Sequence, residues 1–199
     1  LKKFVPASGA STYKTFQDFF TRKLKEAPKV SGGTMWPCEG LLCEQGTVSA
    51  LAEVKVKGEA QELRKVFGAE GRQIPNNYHF SNIFLHNMHY HRIHAPISGT
   101  IARIERIAGD LKVLRPWYYR KKKGPSYPAL TNERVNVDIV SDKGEKWYLS
   151  IVGGPAVGSI VLAGTMAIGA KVKLGEELAT FLLGSTCCLA SPVPPEKNM

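Results

Sequence analysis

The chain is poor in cysteine, in long apolar runs and in acidic residues, and each shortage closes off a class of protein. Four cysteines in 199 residues (Cys38, Cys43, Cys187 and Cys188) are too few for a disulfide scaffold, and no Cys-x-x-Cys spacing suggests zinc. Reduced, mostly buried thiols are expected. No apolar run approaches the ~18 residues of a membrane-spanning helix, and no secretory apolar segment is present. The chain begins at Leu1 rather than Met, which leaves room for an upstream segment carrying any targeting or anchoring signal. Lys and Arg number 27 against 17 Asp and Glu, a formal charge of +10. Such a surface asks for an anionic partner: nucleic acid, acidic lipid headgroups or a charged substrate.

What is there is ordinary globular material, 43% hydrophobic and 22% charged, long enough for one sizeable core or two small ones. Residues 11–25 place Tyr13, Phe16, Phe20 and Leu24 at three- and four-residue steps, which predicts an amphipathic helix capped by Ser11 or Thr12. After residue 30 the texture changes to short β-like runs between Gly and Pro turns. Strands are expected at 41–48, 53–57, 83–86, 100–107, 111–114, 134–140, 147–152, 159–162 and 177–183, with a short helix at 59–67. The pattern predicts an α+β, mainly β protein: an antiparallel β-sandwich or barrel-sandwich-like core with an N-terminal amphipathic helix. Residues 1–30 form the helical segment and 31–199 a single β-rich domain. Paired Pro-x-x-Gly turns at Pro37 and Pro96 resemble those of biotin and lipoate carriers, but no lysine stands beside a methionine as such a carrier requires.

Two places concentrate chemistry. All five histidines, His79, His86, His89, His91 and His94, fall in one short stretch. Imidazole exchanges protons near neutral pH; on a strand, His89 and His91 would share a face and His94 would take the other. The second place is Leu183-Gly184-Ser185-Thr186. A third stretch, residues 115–128, mixes Trp117, Tyr118, Arg120, Lys121, Lys122 and Lys123 with prolines. It suits either a lipid interface or stacked nucleic-acid bases.

Taken together the chain resembles the phosphatidylserine decarboxylase family. The resemblance runs through Phe19-Phe20-Thr21-Arg22-Lys23-Leu24-Lys25, Pro37-Cys38-Glu39-Gly40, Tyr90-His91-Arg92-Ile93-His94-Ala95-Pro96 and Asn132-Glu133-Arg134-Val135. It continues through residues 152–160, Gly175-Glu176-Glu177-Leu178 and Leu183-Gly184-Ser185-Thr186. It implies a proenzyme that cleaves itself between Gly184 and Ser185, giving a β chain of residues 1–184 and an α chain of 185–199. A pyruvoyl group derived from Ser185 would be the covalent cofactor, with no metal. Ser185 would be the nucleophile, His94 its base and Glu39 the carboxylate that orients His94; the family carries Asp at that position, one methylene shorter. His91 matches the histidine of the decarboxylation step.

The resemblance further implies phosphatidylserine as substrate, phosphatidylethanolamine as product, a homodimer, and a membrane location, either a bacterial inner membrane or an organelle membrane such as the mitochondrial inner membrane. Expected contacts with an anionic membrane surface are Phe16, Phe20, Trp117, Tyr118, Arg120, Lys121, Lys122 and Lys123. An uncleaved relative that only binds anionic phospholipid is the alternative. Nucleic acid is set aside as partner, because it leaves the histidine cluster and the Gly-Ser-Thr site without a role.

Overall fold

A computed structural model describes residues 2–28, 30, 33–51, 53–56, 59–114 and 130–196. In chain order its elements are β1 (Phe4–Val5), α1 (Phe16–Phe20), β2 (Lys23–Leu24), β3 (Leu41–Thr47), β4 (Glu53–Val56), β5 (Glu59–Glu62) and a 3-10 segment (Leu63–Gln73). There follow β6 (His79–Phe84), β7 (Arg92–His94), β8 (Gly99–Ile107), β9 (Arg134–Ser141), β10 (Lys146–Gly153), β11 (Ile160–Leu162), β12 (Lys171–Val172), β13 (Glu177–Phe181) and β14 (Ser185–Ser191). The protein is mainly β, and the pairs these strands form are antiparallel.

A seven-stranded sheet, ordered β12-β8-β9-β10-β14-β6-β3, faces a three-stranded sheet ordered β11-β13-β7. The two share one core. Ile93, Ile160, Ala179 and Phe181 of the small sheet pack with Ile101, Val137, Leu149, Cys187 and Leu189 of the large one. Burying an aliphatic or phenyl side chain of this kind contributes about 1.5–3 kcal/mol. The other face of the large sheet carries Phe80, Tyr148, Cys188 and Ala190, covered by Leu63, Val66 and Phe67 of the 3-10 segment. Strand alternation sends Cys187 and Leu189 to one side, Cys188 and Ala190 to the other. With both faces covered, β14 is buried throughout.

The expected helix over residues 11–25 contracts to the five residues of α1. Its cap is Thr15, not Ser11 or Thr12: the Thr15 hydroxyl accepts from Asp18 N–H while the Asp18 carboxylate accepts from Thr15 N–H. The far end is pulled out of helix by tertiary bonds, because Arg92 donates to the carbonyls of Thr21 and Arg22. The helix expected at 59–67 is instead β5 running into the 3-10 segment, and 111–114 adds no strand. Three of the four cysteines are buried and all four are free thiols.

Candidate active site

The Gly184–Ser185 junction lies where β14 begins. Ser185 opposes Gly153 of β10 across one ladder, and its carbonyl accepts from Leu85 N–H at 3.2 Å. Gly184 has φ +54, a left-handed conformation that disfavours a side chain. A Cβ there would lie 3.0 Å from both Gly154 Cα and Pro155 Cδ. The glycine therefore lets the chain turn and lets the 153–155 loop close onto the junction. Ser185 is fully buried, and its Oγ has no hydrogen-bond partner among the described residues. Such an orphan costs stability, so a fold that keeps one invites a chemical explanation.

His91 lies just before β7, and its carbonyl accepts from Phe181 N–H. Two-residue alternation gives it the side of Ile93, which packs in the core that also holds Cys187 and Leu85. The ring stacks on Phe20 at 3.7 Å between centroids. Nδ1 lies 2.9 Å from the His89 carbonyl and donates to it, which leaves Nε2 as the lone-pair nitrogen. Nε2 is buried and has no partner among the described residues. Burial lowers the His91 pKa to about 4, with the nearby His89 and Leu85 backbone working the other way. The ring is neutral at physiological pH.

His94 turns to the other side of β7. Nδ1 donates to the Gly175 carbonyl at 2.7 Å, and Nε2 accepts from the Tyr90 hydroxyl at 3.1 Å. Burial lowers its pKa, opposed chiefly by Gly175; burial likewise raises that of Tyr90. Arg92, next to it, pairs with Glu177 of β13.

Glu39 is exposed, on the wall of a cavity of about 430 Å³ that Lys3, Trp36, Cys38, Ile83 and Tyr90 also line. Among the described residues no hydrogen bond joins it to His94. Its charge acts on Arg22 and His89 instead. The ring orientation expected of Glu39 is thus supplied by the Gly175 carbonyl. Deeper in, the neighbouring Cys38 thiol, and then burial, raise the Cys187 pKa.

Of the expected lipid contacts, Phe16 is 56% exposed. Phe20 is fully buried, its ring committed to His91, so it is a core residue and not a surface one. Trp117, Tyr118, Arg120, Lys121, Lys122 and Lys123 lie outside the described residues. Sequence reasoning assigned no role to Tyr90 or Gly175, which hold His94, nor to Gly154, which packs on Gly184. All three stand in stretches already singled out, but only the folded register shows what they touch.

The fold and site together define an antiparallel β sandwich with a buried serine at a Gly–Ser junction and a buried imidazole on the same side of the small sheet. The sequence profile described as phosphatidylserine decarboxylase matches residues 16–199. The phosphatidylserine decarboxylase proenzyme of Chromobacterium violaceum is 27% identical, the match covering 96% of this chain and 74% of that one. Its Polaromonas naphthalenivorans counterpart is 29% identical over 94% and 72%, and that of Bacillus cereus 32% over 91% and 68%. The chain belongs to the phosphatidylserine decarboxylase family.

Proposed function

We propose that this chain is a self-cleaving precursor of a pyruvoyl-dependent decarboxylase that acts on phosphatidylserine at an anionic membrane surface. The observation that carries the reading is the junction: a buried Ser185 Oγ, unpartnered among the described residues, directly after a left-handed Gly184 that packs on Gly154.

Cleavage begins when Ser185 Oγ adds to the Gly184 carbonyl carbon. The Gly184 C–N bond breaks, and the hydroxyl proton ends on the freed amine through a base. Loss of the residue-185 Cα proton and departure of the Gly184 carboxylate leave a dehydroalanine. Addition of water and loss of ammonia give the pyruvoyl group, on an α chain of residues 185–199 beside a β chain of 1–184. That group supplies a carbonyl that takes up the substrate amine and a sink for the electron pair left as CO₂ departs. Its place fits, since residue 185 is buried away from competing water.

The resemblance gives His94 the role of cleavage base. That role requires Nε2 to leave Tyr90 and the ring to move from the far side of β7 toward Ser185. His91 serves decarboxylation, where its neutral Nε2 accepts or relays a proton. A second reading makes His91 the cleavage base as well, favoured by the bond between Leu85 and the Ser185 carbonyl, which sets the ring's neighbourhood against residue 185.

The surroundings support a lipid substrate. Phe16, Val157, Leu182 and Leu183 are exposed apolar residues around the junction, and Gln17 ties α1 to the Leu182 carbonyl. The cavity beside Glu39 offers Lys3 for an anionic part of a headgroup. No helix among the described residues is long and apolar enough to cross a membrane. The exposed apolar rim itself is what we assign to docking on a lipid surface.

Intact mass of the purified chain tests the reading. Two chains, the smaller blocked by a hydrazine-reactive carbonyl, with CO₂ released from phosphatidylserine vesicles, are expected. A single unmodified chain that binds such vesicles and releases nothing overturns it.

A further inference from the structure

A second hydroxyl faces the cleavage centre. Ser159, immediately before β11, is 2% exposed, and its Oγ has no hydrogen-bond partner among the described residues. Its own backbone is fixed, since its carbonyl accepts from Leu182 N–H at 2.7 Å. A Cβ built on Gly153 would lie 2.8 Å from Ser159 Oγ, so the hydroxyl occupies the space where a side chain at 153 would stand. Gly153 is the direct partner of Ser185 across the β10–β14 ladder. Directly opposed residues of an antiparallel pair point to the same face, with Cβ positions about 4.5–5.5 Å apart. The Ser159 hydroxyl therefore stands on the face to which Ser185 points, in the gap that glycine at 153 leaves open.

We infer that Ser159 is a further catalytic residue of self-cleavage: its O–H, unbonded in the resting structure, turns to donate to the Ser185 side-chain oxygen when that oxygen gives up its proton. The inference rests on the cleavage reading above. The Ser159 hydroxyl stabilises the negative charge that Ser185 Oγ gains as its proton leaves for the base, gives up that contact as the Oγ–Gly184 C bond forms and the charge passes to the Gly184 carbonyl oxygen, and keeps its own proton throughout. Two buried hydroxyls without other partners then account for each other. The glycine at 153 is explained as well, since any side chain there would displace Ser159.

The test follows appearance of the 185–199 fragment from freshly made full chain, by mass, in wild type and variants, with a melting curve for each. Ser159→Ala is expected to slow cleavage by about 10–10²-fold, the worth of one hydrogen bond to a charged oxygen. Its melting temperature should equal or exceed wild type, because the lost hydroxyl had no other partner. Ser159→Thr, which keeps the oxygen, should cleave faster than Ser159→Ala. Cleavage of Ser159→Ala at the wild-type rate overturns the inference while leaving the cleavage reading intact. A marked drop in its melting temperature makes the hydroxyl structural and overturns it too. A wild-type chain that stays whole overturns both readings.

Discussion

His91 and His94 stand three residues apart, yet the two sides of β7 treat them differently. His94 has both nitrogens engaged, one by Gly175 and one by Tyr90. His91 has one nitrogen engaged and the other buried without a partner among the described residues. A buried polar atom left unmade costs about 1–3 kcal/mol. The fold meets that cost on the His91 side, where Ser185 Oγ and Ser159 Oγ are in the same condition. The saturated side holds a ring in one tautomer; the unsaturated side keeps polar atoms for a reaction partner. Burial depresses both rings, so satisfaction, not burial, separates them.

The largest expected effect removes the chemistry of the unsaturated side altogether. Ser185→Ala leaves one uncleaved chain and no CO₂ release, with the His94 bonds untouched and a melting temperature near wild type. Detection of a 185–199 fragment from that variant would remove serine from the mechanism. Next comes the histidine pair. His91→Ala is expected to cleave within a few-fold of wild type but to lose about 10²–10⁴-fold in decarboxylation, the range for a proton-transfer group. His94→Ala should block cleavage and also lower the melting temperature, since Tyr90 and Gly175 lose a buried partner. Mass spectra of the two variants decide between them. If His91→Ala stays whole while His94→Ala cleaves, the roles reverse and the second reading of the cleavage base prevails.

How much of this the sequence made legible depends on what kind of information each feature uses. The histidine cluster and the Gly-Ser-Thr site were visible because composition and adjacency are one-dimensional. The strands of β8, β9 and β10 were visible because alternating apolar residues meet a two-sided sheet. β14 was not: Ser185–Ser191 is small and polar enough to hide a strand buried on both faces. Side-chain period over-predicts the length of α1 because it carries nothing of Arg92, whose bonds to Thr21 and Arg22 come from about 70 residues away. Phe20 passed for a lipid contact by the same period, although it is the floor under His91. Ser159 sits in a stretch the resemblance had quoted, but its nearness to Ser185 exists only through the register of β10 on β14.

Acid sharpens the contrast further. The His91 pKa falls from 6.5 to about 4 on folding. Between those values the unfolded chain binds a proton that the folded chain refuses. The stability linked to His91 is thus complete above pH 6.5 and lost as pH falls toward 4, worth about 3 kcal/mol when fully developed. His94, lowered in the same direction, adds to the same limb. Denaturant titrations between pH 7 and 4 should show a flatter acid limb for His91→Phe than for wild type. An identical slope in both would mean that His91 takes up its proton without opposing the fold.

The smallest effect falls on the saturated side. A carboxylate that oriented His94 would be needed for cleavage, and its neutral amide would slow the step severely. Glu39 makes no such bond among the described residues; it is exposed, and Gly175 already holds Nδ1. A backbone carbonyl cannot be titrated away, and it fixes the tautomer as a carboxylate would. Glu39→Gln is therefore expected to cleave at close to the wild-type rate, since no direct contact to His94 is broken. From the cavity wall its charge acts instead on Arg22 and His89, so the change should appear in apparent affinity for phosphatidylserine vesicles and not in fragment release. A Glu39→Gln precursor that stays whole would show that the carboxylate reaches His94 during cleavage, and that Gly175 alone cannot hold the ring for its task.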